Sequence, residues 1–199
     1  MKPFYEYVKI DKPVRTYISI LRGINVSGQK MIKMADLKKL YAELGFMEIQ
    51  SYIQSGNVIF QYEPSEPHEL EQKITAGIRT AYSFEVPVMV LEIEELQSVL
   101  ANNPYIADPS KDDNFMHVTF LSALPDTVAL TKLNEIHYPG EEFLVLDRAI
   151  YLYCPNGYGR TKFNNSFFEK KLKLAATTRN WKTAKELLII ALKQTNSPS

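Results

Sequence analysis

Runs of β-branched and aromatic residues alternate along this chain with runs whose apolar residues recur every three or four positions. The first run, Thr16-Tyr17-Ile18-Ser19-Ile20-Leu21, predicts a strand. Met34, Leu37, Tyr41 and Leu44 follow at helical spacing, and Gly45 stands where a helix terminates. Strands are expected at 47–53 and 57–61, with Ser55-Gly56 turning between them. Ser65 is placed to cap a second helix, Pro67 suits its first turn, and Leu70, Ile74, Ile78 and Ala81 form its apolar stripe. A further strand is expected at 86–91, near a sheet edge because Pro87 cannot donate to a ladder. The order strand, helix, strand, strand, helix, strand is the split βαβ, or ferredoxin-like, unit.

The rest of the chain repeats part of that order. A short helix at 94–100 is stopped by Asn102-Asn103-Pro104, and a strand is expected at 115–121. A helix at 125–136 precedes strands at 143–146 and 150–153, which flank the turn Asp147-Arg148. Two helices close the chain. One begins near Ser166, with Glu169 in capping-box spacing, and the other near Asn180, with Trp181, Ala184, Leu188 and Ala191 on one face. The expected fold class is α+β: two ferredoxin-like halves with antiparallel sheets, plus two C-terminal helices. Residues 1–91 form the first half with a short N-terminal extension, and residues 92–199 form the second, ending in a loose tail from Thr195.

Composition narrows the class. At 199 residues, 45% hydrophobic, the chain can bury a core without disulfides or metals. Cys154 is the single cysteine, so no disulfide can form within the chain, and a packing role is expected for it. No apolar run approaches the roughly 20 residues of a membrane helix, and residues 1–15 have no signal-peptide core. A cytoplasmic protein with no membrane partner is expected. The histidines His68, His117 and His137 are far apart, and no zinc spacing is present, so neither metal nor cofactor is expected.

The net charge of zero conceals an asymmetry. Between Asn156 and Lys185 eight basic residues face a single acid, Glu169, for a local charge of +7. Such a field recruits anions. Four segments offer the chemistry to hold one. In the loop at 22–30, Arg22 and Lys30 bring charge, Asn25 an amide, and Gly23 and Gly28 backbone freedom. The bland alternative there is a structural turn, with Asn25 bonded to backbone and Arg22 to an acid. In Ser55-Gly56-Asn57, Asn57 is the better ligand contact, since Ser55 has no triad partners. The segment at 155–162 combines two glycines, Tyr158, Arg160 and Lys162, but matches neither the P-loop nor the dinucleotide fingerprint. The segment at 178–183 is read as the opening of the last helix. There Arg179 could grip a phosphate or carboxylate, or else lock the halves together in a buried salt bridge.

Three of these stretches together carry a resemblance. They are Leu21-Arg22-Gly23-Ile24-Asn25-Val26, Tyr52-Ile53-Gln54-Ser55-Gly56-Asn57-Val58-Ile59-Phe60 and Ala176-Thr177-Thr178-Arg179-Asn180-Trp181-Lys182-Thr183. In that order the chain resembles the bacterial family called domain of unknown function 1697, over about residues 16–193. The resemblance implies two ferredoxin-like α+β halves and no established activity. Two departures are Ser27, where a smaller residue is expected, and about fifteen extra residues before the first strand.

The leading expectation is a small phosphorylated or carboxylated ligand between the halves, drawing on Arg22, Asn25, Asn57, Tyr158, Arg160, Lys162 and Arg179. Whether the chain is an enzyme stays open, with Tyr158 as the least unsuitable general base. Two alternatives are a nucleic-acid-binding module using residues 156–185, and a non-catalytic interaction protein whose sheet edges or repeated halves bind a partner.

Overall fold

The computed structural model describes residues 13–26 and 28–195. The N-terminal extension up to Lys12, the departure at Ser27 and the last four residues of the tail lie outside the described residues. Thr195 ends a helix rather than opening a loose tail.

The first half runs β1 (Arg15–Leu21), α1 (Met34–Glu43), β2 (Met47–Tyr52), β3 (Asn57–Tyr62), α2 (Pro67–Tyr82) and β4 (Val88–Glu92). Its antiparallel sheet has the order β2-β3-β1-β4. A connecting helix, α3 (Ile93–Ala101), leads to the second half: β5 (Met116–Leu121), α4 (Thr127–Asn134), β6 (Glu142–Leu146), β7 (Ala149–Tyr153), α5 (Asn165–Leu172) and β8 (Ala176–Asn180). Its sheet has the order β6-β7-β5-β8, the same arrangement. A final helix, α6 (Trp181–Thr195), follows directly. The chain is therefore α+β, with a complete βαββαβ unit in each half.

Strand β8 completes the repeat and corrects the reading of 178–183 as a helix start. Thr177 and Thr178 are β-branched and pair with Phe120 and Thr119, so Arg179 stands on a strand, and the helix begins at Trp181. Two caps also differ. Asn164, not Ser166, caps α5 by accepting from the Phe167 N–H. Ser65 does not cap α2: its hydroxyl donates to the Glu63 carbonyl, and Glu66 occupies the N-cap. Ala81 is exposed, so the apolar face of α2 is Leu70, Ile74 and Ile78.

Central strands buried on both faces explain the apolar runs. In β1, Tyr17 and Leu21 pack with α1 and α2, while Ile18 and Ile20 face the other way. That opposite face meets Ile93 and Leu96 of α3 and Trp181, Ala184 and Leu187 of α6. Val118 and Phe120 of β5 reach the same cluster from the second sheet. A third cluster joins β7 to Leu133 of α4 and to Phe168 and Leu172 of α5. Helices α3 and α6 thus fill a shared layer between the two sheets, and burial of this apolar surface joins the halves. Trp181 is 1% exposed at its centre.

Candidate functional site

The site lies where the end of β8 meets the end of the first sheet. Arg179 is the penultimate residue of β8, an edge strand. Its Nε donates to Asn57 Oδ1 at 2.5 Å, its Nη2 to the carbonyls of Leu21 at 2.7 Å and Ser55 at 3.1 Å, and its Nη1 to the Thr178 carbonyl at 2.9 Å. One guanidinium therefore ties β8 to β1, to β3 and to the β2–β3 turn. Every acceptor is uncharged. Burial lowers the Arg179 pKa to about 10, because removing a cation from water disfavours the charged form.

Asn57 is fully buried and its amide is spoken for on both ends. Its Nδ2 donates to the Tyr52 carbonyl and the Ser55 hydroxyl, while Oδ1 accepts from Arg179. Gly56 makes the approach possible. Its φ is +76°, and a Cβ there would lie 2.7 Å from Leu21 Cβ and 2.8 Å from Ile24 Cδ1. The Gly56 carbonyl accepts from the Leu21 N–H, which continues the β1–β3 ladder into the turn.

Arg22 supplies the second cation. It pairs with Glu169 of α5, across the joint between the halves. The same Glu169 oxygen accepts from the Ala176 N–H at 3.1 Å, which anchors α5 to β8. The salt bridge between the halves is thus Arg22–Glu169, while Arg179 joins them through uncharged acceptors. The Tyr158 hydroxyl donates to Thr178 Oγ1 at 2.9 Å, and Thr178 donates to Asn165 Oδ1 at 2.6 Å. Burial raises the Tyr158 pKa, with the hydrogen bonds to Thr178 and to the Asn165 backbone, and then the positive charge of Arg22, opposing the rise. That direction makes Tyr158 a hydrogen-bond donor at neutral pH and a poor general base. The ring of His117 stacks on Tyr158 with centroids 4.9 Å apart, and its Nδ1 lies 3.2 Å from the Phe115 carbonyl. Burial holds His117 below its ordinary value of 6.5.

Arg22, Asn57, Tyr158 and Arg179 come together. Asn25 stands next to them in a supporting position. Its Nδ2 donates to the carbonyls of Ile32 and Gln54 and its Oδ1 accepts from the Ile32 N–H. Asn25 and Arg179 thereby hold consecutive carbonyls, Gln54 and Ser55, of one turn. Arg160 is exposed, and Lys162 sits 4.7 Å above the Tyr138 ring; among the described residues no contact ties either to the Arg179 cluster. Sequence reading passes over Glu169, Thr178 and His117 as site residues. Only Glu169 carries a signal, as the single acid in the basic segment.

Cys154 is buried, and burial raises its pKa to about 11, which suits packing rather than thiolate chemistry. Among the described residues, no group of three or more His, Cys, Asp or Glu side chains could hold a metal ion, and no helix is long and apolar enough to cross a membrane.

The family model described as "Protein of unknown function (DUF1697)" matches residues 14–151. Comparison with curated proteins finds no match. A solved structure, that of a conserved bacterial protein from Streptococcus pneumoniae, resembles this chain with a TM-score of 0.73 and 24% identity. The likeness covers 90% of this chain and 99% of that one, and at this identity it concerns the fold. With the family match running from β1 through β7, well over half its length, the chain belongs to the DUF1697 family of proteins of unknown function.

Proposed function

We propose that this protein binds a small carboxylate or phosphate at the joint between its halves, in a cytoplasmic setting, with Arg22 and Arg179 as the charged anchors. One observation carries the reading. Arg179 is a half-buried guanidinium whose four hydrogen bonds all end on uncharged oxygens. A cation in such a place is costly unless an anion joins it. Four of its five N–H groups are engaged, and the fifth, on Nη1, has no acceptor among the described residues. Glu169 balances Arg22, so the cluster of Arg22, Arg179 and Glu169 keeps a surplus positive charge. A ligand bearing one negative group neutralises it and gains charge-assisted hydrogen bonds. Asn57 holds Arg179, and Tyr158 holds Thr178, the residue before it, so neither offers a free group of its own.

The small-anion reading is favoured over a nucleic-acid surface by the dispersal of the basic segment. Arg179 is turned inward, Lys185 pairs with Asp113, and Lys162 lies on Tyr138. Phosphate tracking along a nucleic acid needs cations side by side on one face. The binding test is calorimetric titration of the full chain with inorganic phosphate and with malonate, before and after Arg22→Ala. Binding that weakens about tenfold or more in the variant supports the site, since loss of a charge-assisted hydrogen bond is worth about that much. Binding that Arg22→Ala leaves unchanged removes the site from consideration.

A further inference from the structure

Two residues of the candidate site also close the outer edge of β8. The bond from the Ser122 N–H to the Ala175 carbonyl sets the alternation along this edge strand. The main-chain groups of Thr177 and Arg179 therefore point to β5, and those of Ala176 and Thr178 point away from it. Glu169 of α5 accepts the outward Ala176 N–H at 3.1 Å, and Arg179 donates to the outward Thr178 carbonyl at 2.9 Å. The Glu169 oxygen that accepts from Ala176 is the same Oε1 that pairs with Arg22. One carboxylate oxygen is thus shared between a cation of the first half and an edge amide of the second.

The first half has the same edge contact without the cation. Glu71 of α2 accepts the Val90 N–H of edge strand β4 at 2.9 Å, and among the described residues Arg148 pairs with Glu95 rather than with Glu71. The side chains of Arg22 and Glu169 are 25% and 28% exposed, so solvent reaches both and an incoming anion can approach the guanidinium. Helix α5 does not depend on Glu169 alone for its place. Asn164 caps it, and Asn165 Oδ1 accepts from Thr178 Oγ1 at 2.6 Å, which keeps α5 on β8 when Glu169 lets go. Phe168 and Leu172 stay buried beneath it.

We propose that Glu169 is a latch released by a dianion: a phosphate monoester or a dicarboxylate replaces its carboxylate on Arg22, and the Ala176 N–H loses its acceptor. The latch rests on the reading that Arg22 and Arg179 bind an anion. Arg22, Arg179 and Glu169 together carry one positive charge. A monoanion cancels that charge with Glu169 in place. A dianion overshoots it by one, and its charge repels the carboxylate that shares the same guanidinium. Departure of Glu169 into water restores neutrality. Phosphate monoesters carry about two negative charges at neutral pH and so fall in the releasing class. Occupancy of the site is then read out at the edge of β8 as a newly free main-chain donor. The device belongs to the second half, since Glu71 holds its edge amide with no arginine competing for the same oxygen among the described residues.

The test joins calorimetric titration of the full chain, at pH 8 and constant ionic strength, to hydrogen exchange at single amides read by NMR. The probes are inorganic phosphate, malonate and acetate. Saturating phosphate or malonate is expected to speed exchange of the Ala176 amide by about tenfold or more, the equivalent of one lost hydrogen bond, and to leave the Val90 amide unchanged. Acetate is expected to leave the Ala176 rate as it is. Glu169→Gln keeps an uncharged acceptor for Ala176, so phosphate should bind that variant more tightly and leave its Ala176 amide unchanged. Absence of phosphate and malonate binding overturns the anion site and the latch with it. Binding that leaves the Ala176 amide equally or more protected overturns the latch alone, as does an acceleration that persists in Glu169→Gln.

Discussion

Arg179 Nε donates to Asn57 Oδ1 at 2.5 Å, a bond between the penultimate residue of the second sheet's edge strand and the first residue of β3. Around it, the same guanidinium takes the Leu21 and Ser55 carbonyls. Arg179→Ala removes all of these donors at once. Buried acceptors without partners cost about 1–3 kcal/mol each, less whatever water reaches them, so a net loss of about 2–4 kcal/mol is expected. Urea denaturation with an unchanged m-value and a lowered midpoint reads this directly. Arg179→Lys keeps the charge but not the fork of donors, and should recover only part of the loss.

Gly56 tests the turn that Arg179 grips. Gly56→Ala combines positive φ with a Cβ 2.7 Å from Leu21 Cβ, and should cost about 2–4 kcal/mol from strain and overpacking together. Gly159→Ala is the control: a Cβ there meets nothing within 4 Å, and its stability should shift by less than about 0.5 kcal/mol. Equal melting temperatures for the two variants would contradict the packing described at Gly56.

His117 gives the fold an acid-side pH dependence. Its folded-state pKa lies below the ordinary 6.5 because burial disfavours the imidazolium. The unfolded chain therefore binds its proton first as pH falls. Stability from this group is present above pH 6.5 and declines as pH drops through 6.5 towards the lower folded value. His117→Gln should flatten that part of the profile of melting temperature between pH 8 and pH 5. A slope unchanged by the substitution would assign the dependence elsewhere.

Glu169→Gln leaves a neutral acceptor for Arg22 and for the Ala176 N–H while adding one unit of positive charge to the cluster. Because the pair is partly exposed, its loss should cost only about 1 kcal/mol of stability. Affinity for inorganic phosphate should rise by about tenfold, since a competing internal carboxylate is gone. Titration of wild type and variant side by side measures both effects, and tighter binding in the wild type would contradict the account.

Much of the fold is legible in the sequence because local and global preferences agree. The runs at 16–21 and 57–61 are rich in β-branched and aromatic residues since both faces of β1 and part of β3 are buried, and Gly45 and Asn102 stop their helices as expected. Strand β8 is not legible in the same way. Ala176–Asn180 lies at an edge with three half-buried positions, so its composition looks like a loop or a cap, and only the pairing with β5 makes it a strand. The site divides similarly. Arg22 and Arg179 stand out as cations in loop-like sequence, yet two of the three groups Arg179 grips in the first half are main-chain carbonyls, which no side-chain pattern reveals. Arg160 and Lys162 share the same local chemistry but lie outside the cluster, because adjacency in sequence does not fix which way a short 3-10 turn, Tyr158–Arg160, directs its side chains.

Anion binding at the joint is tested by a thermal-shift screen of the purified full chain at two salt concentrations. The panel holds inorganic phosphate, sugar phosphates, nucleotides, small carboxylates and short oligonucleotides. A ligand at 100 times its dissociation constant stabilises the fold by about 2.7 kcal/mol, a readily measured shift. At least one small anion is expected to stabilise the fold, an effect lost in Arg179→Ala measured against that variant's own baseline. A response confined to oligonucleotides and abolished by salt, or no response from any small anion, would rule out small-anion binding at Arg179.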